Sequence, residues 1–258
     1  MGFWNALFGG KELSPEEERE EQKAKNFDLL KYDGVKAMKT GQAEYAVRCF
    51  NEALKLQDDL EIHDYLSQTL LRMGNLDGCM QQLQTLFRAE PENIQIQIRM
   101  AQVAYMLEDY EAMSEAAQRA IEIDGNAAPA YYLAAQAKLG QQDVVSGIAL
   151  LTKAIALDEN YADAYLLRGQ TLLAMGDAAS AGKDGEWLAE HVGDQEDALL
   201  FRARIAESMG QKETANALYE KIKEVNPFWL QDVSGDFTGE GIEEQVKRAY
   251  SAVNPLGL

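Results

Sequence analysis

The chain has 258 residues, 47% of them hydrophobic, with 43 acidic against 24 basic side chains and a formal net charge of −19. That charge opposes a phosphate backbone, which argues against a nucleic-acid partner, and it favours solubility and basic or neutral partners. Two cysteines without metal or redox spacing, and no apolar run near the ~20 residues of a spanning helix, argue against a zinc site, a disulfide framework and a transmembrane segment.

At the start of the chain, Met1-Gly2-Phe3-Trp4-Asn5-Ala6 lacks the charged and long apolar regions of a signal peptide. It begins like a myristoylation site, but Ala6 stands where Ser or Thr is wanted. A cytoplasmic protein is expected. Phe3, Trp4, Leu7 and Phe8 cluster on one face of a short helical stretch closed by Gly9-Gly10. They read either as a cap over the first helices or as a docking element for a partner or a membrane surface. With about two turns and no basic face, membrane binding through them would be marginal. Ser14-Pro15-Glu16-Glu17 then has an N-cap, a proline suited to the first helical position and a capping-box glutamate. Glu16 to Lys25 is charged all round and reads as a solvated lead-in helix, completing an N-terminal segment 1–26.

From residue 27 to residue 227 one pattern recurs with a period of 34, or 33 once, giving segments 27–59, 60–93, 94–127, 128–161, 162–195 and 196–227. Each carries two apolar stretches at helical spacing. Position 8 is small throughout: Gly34, Ser67, Ala101, Ala135, Gly169 and Ala203. Position 20 is small in Ala46, Cys79, Gly147, Ala181 and Ala215, with Met113 the exception. Small residues there let two helix backbones approach closely. The turn between the two helices reads Met73-Gly74-Asn75 and Met175-Gly176-Asp177, and Gly210 holds the same place in the last segment. Breakers separate the segments: Glu90-Pro91-Glu92-Asn93, Asp124-Gly125-Asn126, Asp158-Glu159-Asn160 and Asn226-Pro227. In these, Asp or Asn is expected to cap the following helix. Gly182 and Gly185 inside the second helix of the fifth segment predict that it is the loosest.

These residues resemble the tetratricopeptide repeat, whose signature is a 34-residue helix–turn–helix period. The resemblance implies an all-α fold: a right-handed α-solenoid of stacked antiparallel helix pairs, with extra helices at both ends. One pair cannot bury its apolar faces alone, so neighbours must stack into a single elongated array. In the family the first helix of each pair lines the concave face through positions 2, 5, 6, 9, 12 and 13. Here position 9 is Gln68, Gln102, Gln136 and Gln170 in successive segments. A Gln amide both donates and accepts, so such a ladder suits an extended peptide backbone. An amide at this position also serves as a general structural preference of the family. Position 5 contributes Ile98, Tyr132, Leu166 and Leu200; position 6 contributes Tyr32, Tyr65, Leu133, Leu167 and Phe201, with Arg99 the exception; position 12 includes Tyr105. Repeats of this family that clamp acidic C-termini use basic residues and asparagines at these positions. Only Lys31 and Arg99 match that set, which makes such a clamp doubtful.

Residues 228–258 follow the array. Phe228, Trp229 and Leu230, then Ile242, Val246, Ala249, Tyr250 and Val253 on one helical face, read as a terminal cap, or alternatively as a tail that bends into the groove. Asp232, Ser234, Asp236 and Glu243 loosely mimic a calcium loop, but Phe237 occupies the position that requires glycine. His63 and His191 are far apart in the repeat and have no ligand-spaced neighbour, and no phosphate loop occurs. No enzyme, metal or cofactor is expected. The expected function is a scaffold or adaptor for a protein or peptide partner held in the concave groove. Two alternatives stand beside it: an assembly factor docked on a membrane surface through Phe3, Trp4, Leu7 and Phe8, and a self-associating spacer whose apolar surface is buried in a homo-oligomer.

Overall fold

A computed structural model of the chain describes residues 14–226. The aromatic segment at Phe3–Phe8 and the calls on residues 228–258 therefore lie outside the described residues. Twelve helices make up the described part: α1 (Pro15–Lys39), α2 (Ala43–Leu56), α3 (Leu60–Arg72), α4 (Leu76–Ala89), α5 (Ile94–Met106), α6 (Tyr110–Ile123), α7 (Ala128–Gly140), α8 (Val144–Leu157), α9 (Ala162–Ala174), α10 (Ala178–His191), α11 (Glu196–Ser208) and α12 (Lys212–Val225). The odd-numbered helices are the first helices of the 34-residue segments, and the even-numbered ones are the second. Among the described residues there is no strand. None of these helices is long and apolar enough to cross a membrane.

The chain divides into two compact units, Met1–Leu107 and Glu108–Leu258. The division falls inside the third segment, between α5 and α6. In the first unit α1 packs on α2 and α3 on α4, while α2 packs on α3 and α4 on α5. In the second unit α6 packs on α7 and α7 on α8, and the same alternation runs on to α12. Within the units α2, α4, α8, α10 and α12 touch their own partner helix, and α2, α4, α6, α8 and α10 touch the first helix that follows.

Small side chains set the helix spacing. A Cβ on Gly34 would come within 2.5 Å of the Phe50 ring, and one on Gly169 within 2.4 Å of Phe201. The other residues at position 8 are buried, as are those at position 20, Met113 included. Burial pushes the Cys79 thiol above its ordinary pKa, which leaves it a small apolar filler.

The helix ends follow local chemistry. Ser14 and Glu17 form the reciprocal capping box. The lead-in is not a separate helix, because nothing after Lys25 interrupts the pattern and α1 runs unbroken for 25 residues. Side-chain caps on α3, α4, α5, α6, α8 and α10 come from Asp59, Asn75, Asn93, Asp109, Asp143 and Asp177. The Asp and Asn of the two central breakers behave differently from expectation. Asp124 and Asp158 end α6 and α8 and accept from the Asn126 and Asn160 N–H groups at 2.9 and 3.0 Å. The N-caps that follow, Ala127 and Tyr161, make no side-chain cap. Those carboxylates therefore shape the turn and leave the next helix uncapped.

Position 15 has a left-handed backbone in all six segments: Gly41, Gly74, Gly176 and Gly210 at φ of 73 to 85°, and Glu108 and Gln142 at 57° and 64°. A helix–turn–helix this tight needs one residue in that region, and a Cβ there is strained.

Helix α10 contains the two glycines that lower its intrinsic propensity, yet packing uses one of them. A Cβ on the buried Gly185 would meet Ile205 at 2.9 Å. Beside it, Asp184 is only 3% exposed and receives two bonds from Arg168 of α9, Nε to Oδ2 at 3.1 Å and Nη2 to Oδ1 at 2.6 Å. The same guanidinium reaches Thr152 of α8 at 3.3 Å. A buried, bidentate pair of this kind holds three helices in one register.

Two outcomes follow. Glu108→Gly and Gln142→Gly each relieve a strained φ and are expected to raise unfolding stability by about 0.5–1 kcal/mol in urea titrations, with Gly74→Ala moving it the other way. Asp184→Ala leaves the partly buried Arg168 guanidinium without its carboxylate and is expected to cost about 2–3 kcal/mol. The paired replacement Arg168→Met with Asp184→Leu should cost far less, and equal losses in the two variants would show that the pairing itself stabilises and that a stranded charge is not the cause of the loss.

Candidate peptide-binding face

The candidate groove residues sit on the first helices of their segments. In the first unit this face is dominated by charge. Lys31 of α1 reaches across to α3, with Nζ 3.1 Å from Oδ2 of the N-cap Asp59 and 2.6 Å from Oε2 of Glu61. Tyr65 donates its hydroxyl to the other oxygen of Glu61 at 2.6 Å, and its ring stacks on Phe50 at 5.9 Å. One turn further along α3, Asp64 takes a bond from Arg99 of α5 and another from the Gln68 amide, at 2.8 Å. Arg99 also donates to the buried Ser67 hydroxyl. The two cations that match an acidic-tail clamp are therefore both held by carboxylates of the same unit. Gln102 is exposed and Tyr105 half-buried on α5.

These contacts set the ionisation of the groups that make them. Burial works against ionising Asp59, but the Ile62 N–H and Lys31 outweigh it, and the carboxyl is held below its ordinary 3.8. Lys31 and Tyr65 hold Glu61 below its ordinary 4.5. Burial opposes the charge on Lys31, yet its two carboxylate partners raise its pKa above 10.5.

The face of the second unit is different in kind. Gln136 of α7 donates to the Tyr132 hydroxyl at 3.4 Å. The Tyr132 ring lies 5.2 Å from that of Tyr161, tilted by 44°. Burial pushes the Tyr161 phenol up to about 12, so it stays neutral at any working pH. Leu166 and Gln170 of α9 are half-buried, and Leu166 packs partly into the cluster built around Phe201 and Leu188. Leu133, Leu167, Leu200 and Phe201, expected beside the amides, are buried in the core. Position 6 in this unit faces the preceding second helix and not the solvent.

The sequence reading grouped the amides and aromatics by register and missed the carboxylates among them. Asp59, Glu61 and Asp64 carry the signal that could have found them, since they lie within one and a half turns at the start of α3, the first helix of the segment after the one that holds Lys31. The second feature missed is the aromatic stack of Tyr165, Trp187 and His191, with ring separations of 3.9 and 4.2 Å, over which Arg168 is placed 5.5 Å from Tyr165. Among the described residues no three His, Cys, Asp or Glu side chains converge as a metal site.

Comparison with known proteins bears on the fold. No family model matches the chain, and no curated protein matches it. Solved structures do. One is PilW, a widely conserved type IV pilus biogenesis factor, at a TM-score of 0.66 and 14% identity over 85% of this chain and 98% of that one. Another is a tetratricopeptide repeat protein from Parabacteroides merdae ATCC 43184, at 0.61 and 17% over 86% and 83%. A third is YrrB, described as a TPR protein with an unusual peptide-binding site, at 0.53 and 15% over 70% and 94%. At these identities the likeness establishes the fold, which is the tetratricopeptide-repeat α-solenoid.

The Lys31 cluster has a pH signature. Asp59 and Glu61 have folded pKa values below their unfolded ones, so the stability they contribute is present above the ordinary carboxylate range and is lost as pH falls through the lowered folded values. The gap in unfolding free energy between wild type and Lys31→Met should be fully open at about pH 6 and shrink as pH falls below about 4. A gap of constant size across that range would mean that Lys31 acts through its aliphatic stem alone.

Proposed function

We propose that this chain is a non-enzymatic interaction scaffold that holds a neutral or basic segment of another protein against the exposed face of its first helices. The fold supports the general reading, since solved structures that share it include one described as having a peptide-binding site. The observation that carries the finer reading is the state of the position-9 amides. Gln68 has its Nε2 fixed by Asp64, and Gln136 has its Nε2 directed at the Tyr132 hydroxyl. An amide anchored through its NH2 group offers its carbonyl oxygen to a ligand, and a carbonyl at that point is an acceptor for peptide N–H groups. Gln102, exposed on α5, offers both of its groups.

Charge selects the ligand. Lys31 and Arg99 are neutralised within the first unit, and Asp59, Glu61 and Asp64 leave its face with more negative than positive groups. An acidic C-terminal tail would have to displace these ion pairs and then meet the freed carboxylates. A neutral or basic segment meets no such cost.

The test is a pull-down from the source lysate read by mass spectrometry, comparing wild type with a variant carrying Gln68, Gln102, Gln136 and Gln170→Ala. Helicity and melting must first be shown equal. A partner captured by wild type and lost from the variant is the expected result. Partners retained equally by both would remove the amides from recognition. An acidic peptide that bound wild type more tightly than a basic one of equal length would overturn the charge argument.

A further inference from the structure

Position 3 of the repeat separates the first segment from all the others. Ile62, Ile96, Ala130, Ala164 and Ala198 are between 0 and 4% exposed, whereas Leu29 is 59% exposed. Position 10 shows the same contrast: Thr69, Val103, Ala137, Thr171 and Ile205 are buried, and Lys36 is exposed. At position 6, Tyr32 is 64% exposed, while Tyr65 is covered by the stacked Phe50 ring from the preceding second helix. These positions form the side of a first helix on which the second helix of the preceding segment lies. Helices α3, α5, α7, α9 and α11 each have that neighbour, and α1 has none among the described residues. Its Leu29–Tyr32 surface has the composition of a covered face and lacks a cover.

We propose that Phe3, Trp4, Leu7 and Phe8 of the same chain cover the Leu29–Tyr32 surface, running antiparallel to α1 in the place that a second helix holds elsewhere. Reach permits it. Leu29 lies about 21 Å along the helix from Pro15 at 1.5 Å per residue. Residues 9–14, extended, span about 20 Å, which brings Phe8 beside Leu29. Composition fits as well. Apolar side chains at positions 3, 4, 7 and 8 line one face of a short helix, and three are aromatic, as Phe50 is where it covers Tyr65. A second copy stacked head to tail is a poorer occupant. Val47 and Leu54, two partly buried α2 residues of the first core, correspond in α12 to the polar Asn216 and Lys223, while Phe50 corresponds to Tyr219.

The experiment is hydroxyl-radical footprinting of the full chain without lipid, read by mass spectrometry at Leu29 and Tyr32. Wild type is compared with a Phe3→Ala, Trp4→Ala, Leu7→Ala, Phe8→Ala variant of matched helicity, at two concentrations with sedimentation in parallel. Labelling of both residues should rise severalfold in the variant and be independent of concentration. Val145, 74% exposed on α8, serves as the unchanged control. Equal labelling in the two proteins would overturn the proposal. So would protection that grows with concentration alongside a dimer, which would give the surface to a second copy. As an independent reading, Phe8→Cys with Leu29→Cys is expected to close a disulfide within one chain on oxidation. Failure to close, or closure only between chains, would overturn the proposal.

Discussion

The interaction on which each unit depends is the contact between a second helix and the first helix that follows it. A helix pair of this size has apolar residues on more than one side, and its own partner can cover only one of them. Phe50 shows the arrangement in a single residue. It fills the space above Gly34 within its own pair and stacks on Tyr65 of the next helix. Position 3 records the same constraint five times as a buried side chain, and once, at Leu29, as an exposed one. Small residues at positions 8 and 20 bring the backbones near enough for these contacts, and close approach rather than conformational freedom explains glycine at 34, 169 and 185.

Charge is used unevenly on this frame. The chain is strongly acidic, and several of its cations are committed to specific carboxylates: Lys31 to Asp59 and Glu61, Arg99 to Asp64, Arg168 to Asp184 and Lys221 to Asp194. Of these carboxylates Asp184 is the most deeply buried, and there the bidentate geometry and the added bond from Arg168 to Thr152 offset the cost of desolvation. The half-exposed pairs contribute less to stability and more to the character of the surface. They remove from the first-helix face of the first unit the free positive charge that an acidic ligand would need.

The two units present unlike faces. That of the first is polar and ionic around Lys31, Asp64 and Arg99; that of the second is aromatic around Tyr132 and Tyr161. A neutral Tyr161 phenol and a Tyr132 hydroxyl that accepts from Gln136 give the second unit a surface whose contacts are insensitive to pH. The face of the first unit, in contrast, carries carboxylates whose ionisation its own ion pairs favour.

Much of this was legible from residue order alone, because the physics concerned is local or periodic. The capping box at Ser14 and Glu17, the tight turn at Gly74 and Gly176, and the small residues at position 8 each depend on neighbours a few residues away or on a fixed period of 34. Which face a residue turns to its neighbours depends on packing between helices far apart in sequence, and only the tertiary structure decided that. It placed Leu133, Leu167 and Phe201 in the core although they share a register with exposed Tyr32, because a preceding second helix covers them and none among the described residues covers Tyr32. It assigned Asp124 and Asp158 to turns and not to helix caps, since the backbone bends between them and the next helix. It also joined Lys31 to Asp59 and Arg99 to Asp64, 28 and 35 residues apart. A list of charges does not state such pairings, because an ion pair forms only between side chains that the packed helices bring within a few ångströms.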